Sequence, residues 1–205
     1  MLLGLDFDGT LADSWASVTS SLAWVASHDS RESAQRLKES LHLIEGKTLE
    51  VQLNSFISNL NFENAFQLYM SFYRREGLQK TTLNRGSKEL LLYCKSKDIK
   101  VVVISAKTEM NLALTMNHLG LEEIPIYGGC DNLKKSYLMK SLNVDLYVGD
   151  QESDVFAAQN ANVKVVYLSS VETINTLSVE PDYRITNISQ TIDILSVLQE
   201  TKKKS

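Results

Sequence analysis

Asp6 and Asp8 stand two residues apart where a short apolar run, Leu2, Leu3 and Leu5, gives out, and Gly9 and Thr10 follow them. A run of that kind predicts a buried strand. Side chains two apart on a strand share a face, so extended geometry carried one pair further aims both carboxylates into one crevice. Adjacent carboxylates repel strongly at a protein-like dielectric unless a cation or a proton lies between them. Gly9 permits a sharp turn or a close approach of backbone to ligand. Thr10 follows with exposed backbone N–H groups. The same residue types also close ordinary polar turns.

Three further places carry chemistry. Ser105 ends the run Ile99 to Ser105, with Ala106 and Lys107 after it. A hydroxyl and free backbone N–H groups there can hold a phosphoryl oxygen, or cap the next helix. Lys134 and Lys135 open a helical stretch. A lysine brings a point charge to a phosphate, while a solvated pair is the plainer reading of two adjacent lysines. Gly149 and Asp150 end another strand, and Asp154 falls in the first turn of the helix after it. Asp150 and Asp154 added to Asp6 and Asp8 make a strongly negative crevice. Mg²⁺ suits it, because that ion takes hard oxygen ligands from a few carboxylates plus substrate phosphate. Asp154 alone also reads as a favourable charge at a helix N-terminus.

These residues need elements to position them. Trp15, Val18, Leu22 and Val25 recur at helical spacing, with Asp13 as the expected N-cap. Further helices are expected from Glu32 to Leu43, Leu49 to Leu60 and Phe62 to Arg75, with a break at Glu45-Gly46-Lys47. Residues 13–83 therefore read as an all-helical insert with no strand signal. From Asn84 strands and helices alternate. Strands are expected at Ile99 to Ser105, Ile124 to Tyr127, Val144 to Val148, Val163 to Leu168 and Tyr183 to Ile185. Between them lie helices at Leu90 to Lys97, Met110 to Leu119, Lys135 to Leu142 and Val155 to Ala161, with a last one from Ile188 to Leu198. Apolar strands alternating with helices predict an α/β fold, a doubly wound, Rossmann-like parallel sheet, here formed by residues 1–12 and 84–205. In such sheets ligands bind at the carboxyl ends of the strands, which is where the polar residues above fall.

DFDGTLADS resembles motif I of the haloacid dehalogenase-like superfamily, the aspartate-nucleophile phosphohydrolases. VISAK resembles motif II, a strand ending in Ser or Thr, and GDQESD resembles motif IV, GDxxxD. The superfamily's motif III is a lysine that neutralises the nucleophile and the phosphate. Its usual apolar positions three, four and seven residues on match Leu138, Met139 and Leu142 after Lys135 better than the residues after Lys134. The insert between motifs I and II is similar to the helical cap of the phosphoglycolate phosphatase-like and β-phosphoglucomutase-like branch. Its loop Ile44-Glu45-Gly46-Lys47 matches the loop that covers substrate there, and makes Lys47 a candidate contact.

The resemblance implies a phosphatase acting on a small phosphate monoester. Asp6 is the nucleophile and forms an aspartyl-phosphate. Asp8 protonates the leaving alkoxide and then activates water. Mg²⁺ is held by Asp6, the Asp8 main-chain carbonyl and Asp150, with Asp154 in support. Ser105, Ala106, Lys135 and the Gly9 and Thr10 N–H groups hold phosphoryl oxygens. Asp8 separates this reading from the dehalogenases, which lack the second aspartate and need no metal. A phosphomutase is the nearest alternative, and a non-catalytic phosphate-binding or partner-binding module a more distant one.

Bulk properties narrow the field. The 205 residues carry a formal charge of −4, with no basic face for nucleic acid. Lys202, Lys203 and Lys204 form a short basic tail, expected to be solvated. No apolar run is long enough to span a membrane, and the N-terminus, needed as a strand, lacks the basic region of a signal peptide. Cys94 and Cys130 show neither metal spacing nor a disulfide framework, so a cytoplasmic, reducing location is expected. His28, His42 and His118 lie outside the motifs and are expected to be structural or surface residues.

Overall fold

The computed structural model describes residues 1–169 and 177–204, with side chains as far as residue 201. The side chains of the basic tail at Lys202, Lys203 and Lys204 lie outside the described residues. Strand β1 (Leu2–Leu5) is at the centre of a six-stranded sheet. It pairs in parallel with β4 (Lys100–Ile104) on one side and β6 (Leu146–Gly149) on the other. Beyond β4 lies β5 (Ile126–Tyr127); beyond β6 lie β7 (Lys164–Leu168) and β8 (Tyr183–Ile185), all parallel to their neighbours. Register places Leu5 beside Val103 and Val148, so the ends of the three central strands are level.

Period-two alternation divides these strands between two apolar layers. Leu3, Leu5, Val103, Leu146, Val148 and Val166 face one way. They pack on α5 (Ser87–Ser96), α6 (Glu109–His118) and α9 (Thr191–Lys204). Val102, Ile104, Tyr147, Val165 and Tyr167 face the other way, onto α7 (Asn132–Ser141) and α8 (Glu152–Asn160). The sheet is thus doubly wound, as expected for near-continuous apolar strands buried on both faces. Gly4 is the gap in this pattern. A Cβ there would lie 2.8 Å from Tyr147 Cδ2, so the missing side chain makes room for a fully buried ring whose hydroxyl donates to the Ile104 carbonyl at 2.9 Å.

Between β1 and β4 the chain leaves the sheet for four helices: α1 (Trp15–Asp29), α2 (Arg31–Ser40), α3 (Leu49–Asn54) and α4 (Phe62–Phe72). They bury a core of their own around Leu22, Val25, Leu53, Phe56 and Tyr73. Three expectations need correction. The insert is not purely helical. Strands β2 (Ala12–Asp13) and β3 (Thr82–Leu83) pair antiparallel at its base, a ribbon too short to show a period in sequence. Asp13 belongs to that ribbon, and Ser14 takes the N-cap position of α1, its hydroxyl donating to the Asp8 carboxylate instead of capping. Lastly α3 stops at Asn54, six residues before Leu60, because the chain wraps the Asp29 carboxylate. That group accepts the N–H groups of Ser58 at 2.7 Å, Asn59 at 2.9 Å and Leu60 at 2.5 Å, and the Ser33 hydroxyl. Slight burial pushes its pKa up, but these donors outweigh it and hold it at about 2.

Gly4→Ala is expected to lower stability by about 1–3 kcal/mol through overpacking against Tyr147. Urea unfolding measures this, and no loss would mean that the ring yields freely.

Candidate active site

Every element that ends at the level of Leu5 delivers a polar group to the same place. Asp6 follows β1, its N–H still donating to Val148 at 2.9 Å, and its side chain is buried. Lys135 rises from the first turns of α7, whose N-cap Asp131 accepts the Lys134 N–H. Its Nζ lies 3.0 Å from Asp6 Oδ1 and 2.6 Å from Asp154 Oδ1, so one buried ammonium bridges two buried carboxylates. Burial alone would drag Lys135 down, but Asp154 and Asp6 outweigh it and hold the lysine charged, well above its usual range. Lys134 points elsewhere, its Nζ donating to the Gly128 carbonyl at 3.1 Å. The structure therefore brings Lys135, and not Lys134, to Asp6.

Asp150 follows β6 at the other side of Asp6. Its Oδ1 accepts from the Thr10 hydroxyl at 2.7 Å and its Oδ2 from Gln151 Nε2 at 3.1 Å. Asp154 is fully buried and also accepts the Gln151 N–H at 3.2 Å, closing the first turn of α8. Gly9 holds a φ of +83°, and a Cβ there would lie 2.3 Å from Asp150 Oδ2. Glycine is required on both counts. One expectation fails here. The Gly9 N–H donates to the Ala12 carbonyl at 2.9 Å, closing the turn that starts the insert, so it is not offered to a phosphoryl oxygen. Ser105, buried after β4, accepts the Lys107 N–H at 3.3 Å through Oγ.

Sequence reading missed the partner of Asp8. Lys107 Nζ lies 3.0 Å from Asp8 Oδ1, with its side chain only 4% exposed. Burial would lower the Lys107 pKa, but Asp8 outweighs it, and the lysine is held charged above its ordinary range. Two carboxylates two residues apart are thus separated by giving each its own ammonium group. The available signal was position: Lys107 follows an apolar strand at the carboxyl end of the sheet, where a cation meets whatever the site collects.

Asp6, Asp150 and Asp154 each present an oxygen within 4.8 Å of the others, while the Asp8 carboxylate turns to Lys107 and Ser14. Four carboxylates face two buried lysines, so full ionisation would leave two negative charges uncompensated. The strain registers in the protein: burial, with Asp154 and Asp150 adding to it against Lys135, pushes Asp6 up to about 8. Burial and Asp154 push Asp150 up to about 7. All-oxygen, buried, under-compensated donors fit a hard divalent cation. Asp154, already bonded through both oxygens, fits as support more than as a direct ligand.

Asp6, Asp8 and Asp150 line a cavity of about 70 Å³ with Gly9, Ser14, Trp15, Ser105 and Ala106. The insert closes it through Glu45, Gly46 and Lys47. Gly46, Lys47 and Ala106 also border a second cavity of about 650 Å³ between insert and sheet, whose wall includes Phe62, Phe66, Asp131 and Lys135. Lys47 is exposed where the two meet. His28, His42 and His118 are exposed and line neither cavity, and both cysteines are buried free thiols. Among the described residues no helix is long and apolar enough to cross a membrane.

Sheet order, helical insert and an acidic cluster at the strand ends define a doubly wound α/β protein with a helical insert over a charged site. Residues 5–168 match the family model described as haloacid dehalogenase-like hydrolase. The chain belongs to that family. Solved structures agree on the fold. One is a predicted phosphoglycolate phosphatase from Haemophilus somnus 129pt, 21% identical, covering 95% of this chain and 97% of its own, with a TM-score of 0.71. Another is a predicted phosphatase from Clostridium acetobutylicum, 21% identical over 96% and 98%, with a TM-score of 0.73. A third is CbbY from Rhodobacter sphaeroides in complex with phosphate, 14% identical over 92% and 95%, with a TM-score of 0.74. No curated protein matches the sequence.

A pH dependence follows from the raised carboxylates. Both bind a proton more readily folded than unfolded, so in chelator the protein is expected to lose stability as pH rises from about 4 to about 8. Asp29 acts below that window and with opposite sign, its contribution being lost as pH falls toward 2. A divalent cation is expected to raise the melting temperature more at pH 8 than at pH 6. Thermal unfolding with Mg²⁺ and with chelator at both pH values checks this; equal effects would count against the cluster as the binding site.

Proposed function

We propose that the protein is a magnesium-dependent phosphatase that hydrolyses small phosphate monoesters through an aspartyl-phosphate on Asp6. The observation that supports it most is the small cavity itself. Asp6 and Asp8 line it together, each held by its own buried lysine, with Ser105 and Ala106 on its wall. That is the arrangement for attack on phosphorus by one carboxylate and proton transfer by the other.

Asp6 attacks the phosphoryl group and the P–O bond to the leaving oxygen breaks. Asp8 gives its proton to that oxygen. Asp8, now a carboxylate, then takes a proton from the water that attacks phosphorus, which frees Asp6 and releases phosphate. Lys135 sits against Asp6 and balances charge on the carboxylate and on the phosphoryl oxygens. The Ser105 hydroxyl and the Ala106 and Thr10 N–H groups hold those oxygens. Asp6, Asp150 and the Asp8 main-chain carbonyl would hold Mg²⁺, with Asp154 positioning Lys135 and the Asp150 loop. When bound, the ion supplies positive charge against the transferring phosphoryl group.

The larger cavity is the room for the leaving group, with Lys47 at the junction. The helical insert then acts as a lid, a cytoplasmic enzyme of this kind needing water excluded in the first step and admitted in the second. The Haemophilus and Clostridium relatives carry the name phosphatase, and CbbY was solved with phosphate, which supports a phosphorylated small molecule as partner.

Phosphate release from a panel of phosphorylated metabolites, with Mg²⁺ and with chelator, tests the reading. Release is expected to require Mg²⁺ and to fall by about 10³-fold or more in Asp6→Asn. Sugar phosphate isomerisation without release would make it a mutase. Phosphatase activity persisting in Asp6→Asn would remove Asp6 as nucleophile.

A further inference from the structure

We infer that Lys107 is a positioning residue for Asp8: it pins one carboxylate oxygen and so leaves the other as the atom that exchanges the proton with the leaving group. The inference rests on the phosphatase reading above and gives a role to Lys107, the last residue of VISAK, to which that reading assigns none. Three observations carry it.

First, both donors to Asp8 converge on the same oxygen. Lys107 Nζ and the Ser14 hydroxyl each reach Oδ1. Asp8 sits in a turn just beyond the strand, where its carboxylate would otherwise be free to rotate. Two donors on one oxygen, one of them charged, fix the plane of the group.

Second, Lys107 is built to stay there. An ammonium group is costly to bury without a partner. The rings of Phe7 and Tyr73 lie 5.7 Å and 5.2 Å from Nζ, so aromatic faces enclose it where solvent would otherwise stand. A buried ion pair is weak evidence for a stabilising role.

Third, the enclosure is shared between sheet and insert. Phe7 comes from the turn after β1. Tyr73 opens a π turn, Tyr73–Gly77, that continues α4, and its ring stacks on Tyr69 of that helix. The Tyr73 hydroxyl bonds Thr115 of α6, which ties the insert to the sheet domain beside the ion pair. A π turn shifts the side chains that follow it relative to an α-helix, and such turns recur at functional sites. Asp8 is therefore aimed by a lysine that only the assembled insert and sheet enclose.

The test exploits leaving-group chemistry. An alkoxide needs a proton to depart, whereas 4-nitrophenolate leaves without one, so a residue that aims the acid matters for the first kind of ester alone. kcat/KM covers the steps up to leaving-group departure, and is to be measured for Lys107→Met with 4-nitrophenyl phosphate and with the alkyl phosphate that the wild-type protein hydrolyses fastest. The alkyl ester is expected to lose about 10²-fold and the nitrophenyl ester less than about 5-fold. Lys107→Arg should recover part of the alkyl activity. Should the methionine variant not fold, by circular dichroism, Lys107→Gln carries the same comparison.

Equal losses on both esters, or none, would overturn the inference while leaving the phosphatase reading in place. A crystal structure of the Lys107→Met protein with the Asp8 carboxylate unmoved would also overturn it, independently of activity. Wild-type protein that hydrolyses neither ester with Mg²⁺ would instead bring down the phosphatase reading, and this inference with it.

Discussion

The site depends on a buried ammonium group. Lys135 lies between Asp6 and Asp154, and neither side of that arrangement is stable without the other. An unpaired lysine in the interior would give up its charge, and two buried carboxylates alone would keep a proton. Together they keep Lys135 charged where burial opposes it, at the end of the central strand. Tyr147 extends the arrangement, its hydroxyl 2.9 Å from the Ile104 carbonyl and its ring filling the space that Gly4 leaves open. Packing on the α7–α8 side of the sheet and charge at its edge are thus parts of one structure.

Parallel topology explains why so many charges meet there. Strands β1, β4 and β6 end within one residue of the same level, so residues distant in sequence arrive close together: Asp6, Ser105 and Asp150. The helices that follow bring Lys135 and Asp154 in their first turns. The same edge launches the insert, through a turn closed by the Gly9 N–H and the Ala12 carbonyl. Asn84, just after β3, donates to the Gly9 and Thr10 carbonyls at 2.8 Å and 2.9 Å. The return of the insert to the sheet is thus bonded directly to the backbone that follows Asp8.

Much of this is legible along the chain because it is local. Short apolar runs bounded by polar residues mark the strands here, and the carboxylates just past two of them stand at the carboxyl edge of the sheet. Helix ends were harder. Asn54 ends α3 because Asp29, from another helix, draws the following N–H groups to itself, a competition that periodicity does not register. The ribbon of Ala12–Asp13 and Thr82–Leu83 is invisible for a related reason, since two residues carry no period and their partners lie some seventy positions away.

The amino-acid sequence by itself determined the order of elements, the doubly wound sheet, the place of the insert and the set of acidic side chains, because each follows from local pattern or from a motif of a few adjacent residues. Tertiary structure decided how those charges are shared. It turned Lys135 inward and Lys134 to loop carbonyls, gave Asp8 to Lys107 and Ser14, engaged the Gly9 N–H within its own turn, and left Asp6 and Asp150 as the carboxylates short of positive charge. The physical reason is that ion pairing and burial depend on distances in space across elements far apart in the chain, where a shift of one residue around a helix separates a buried lysine from a solvated one.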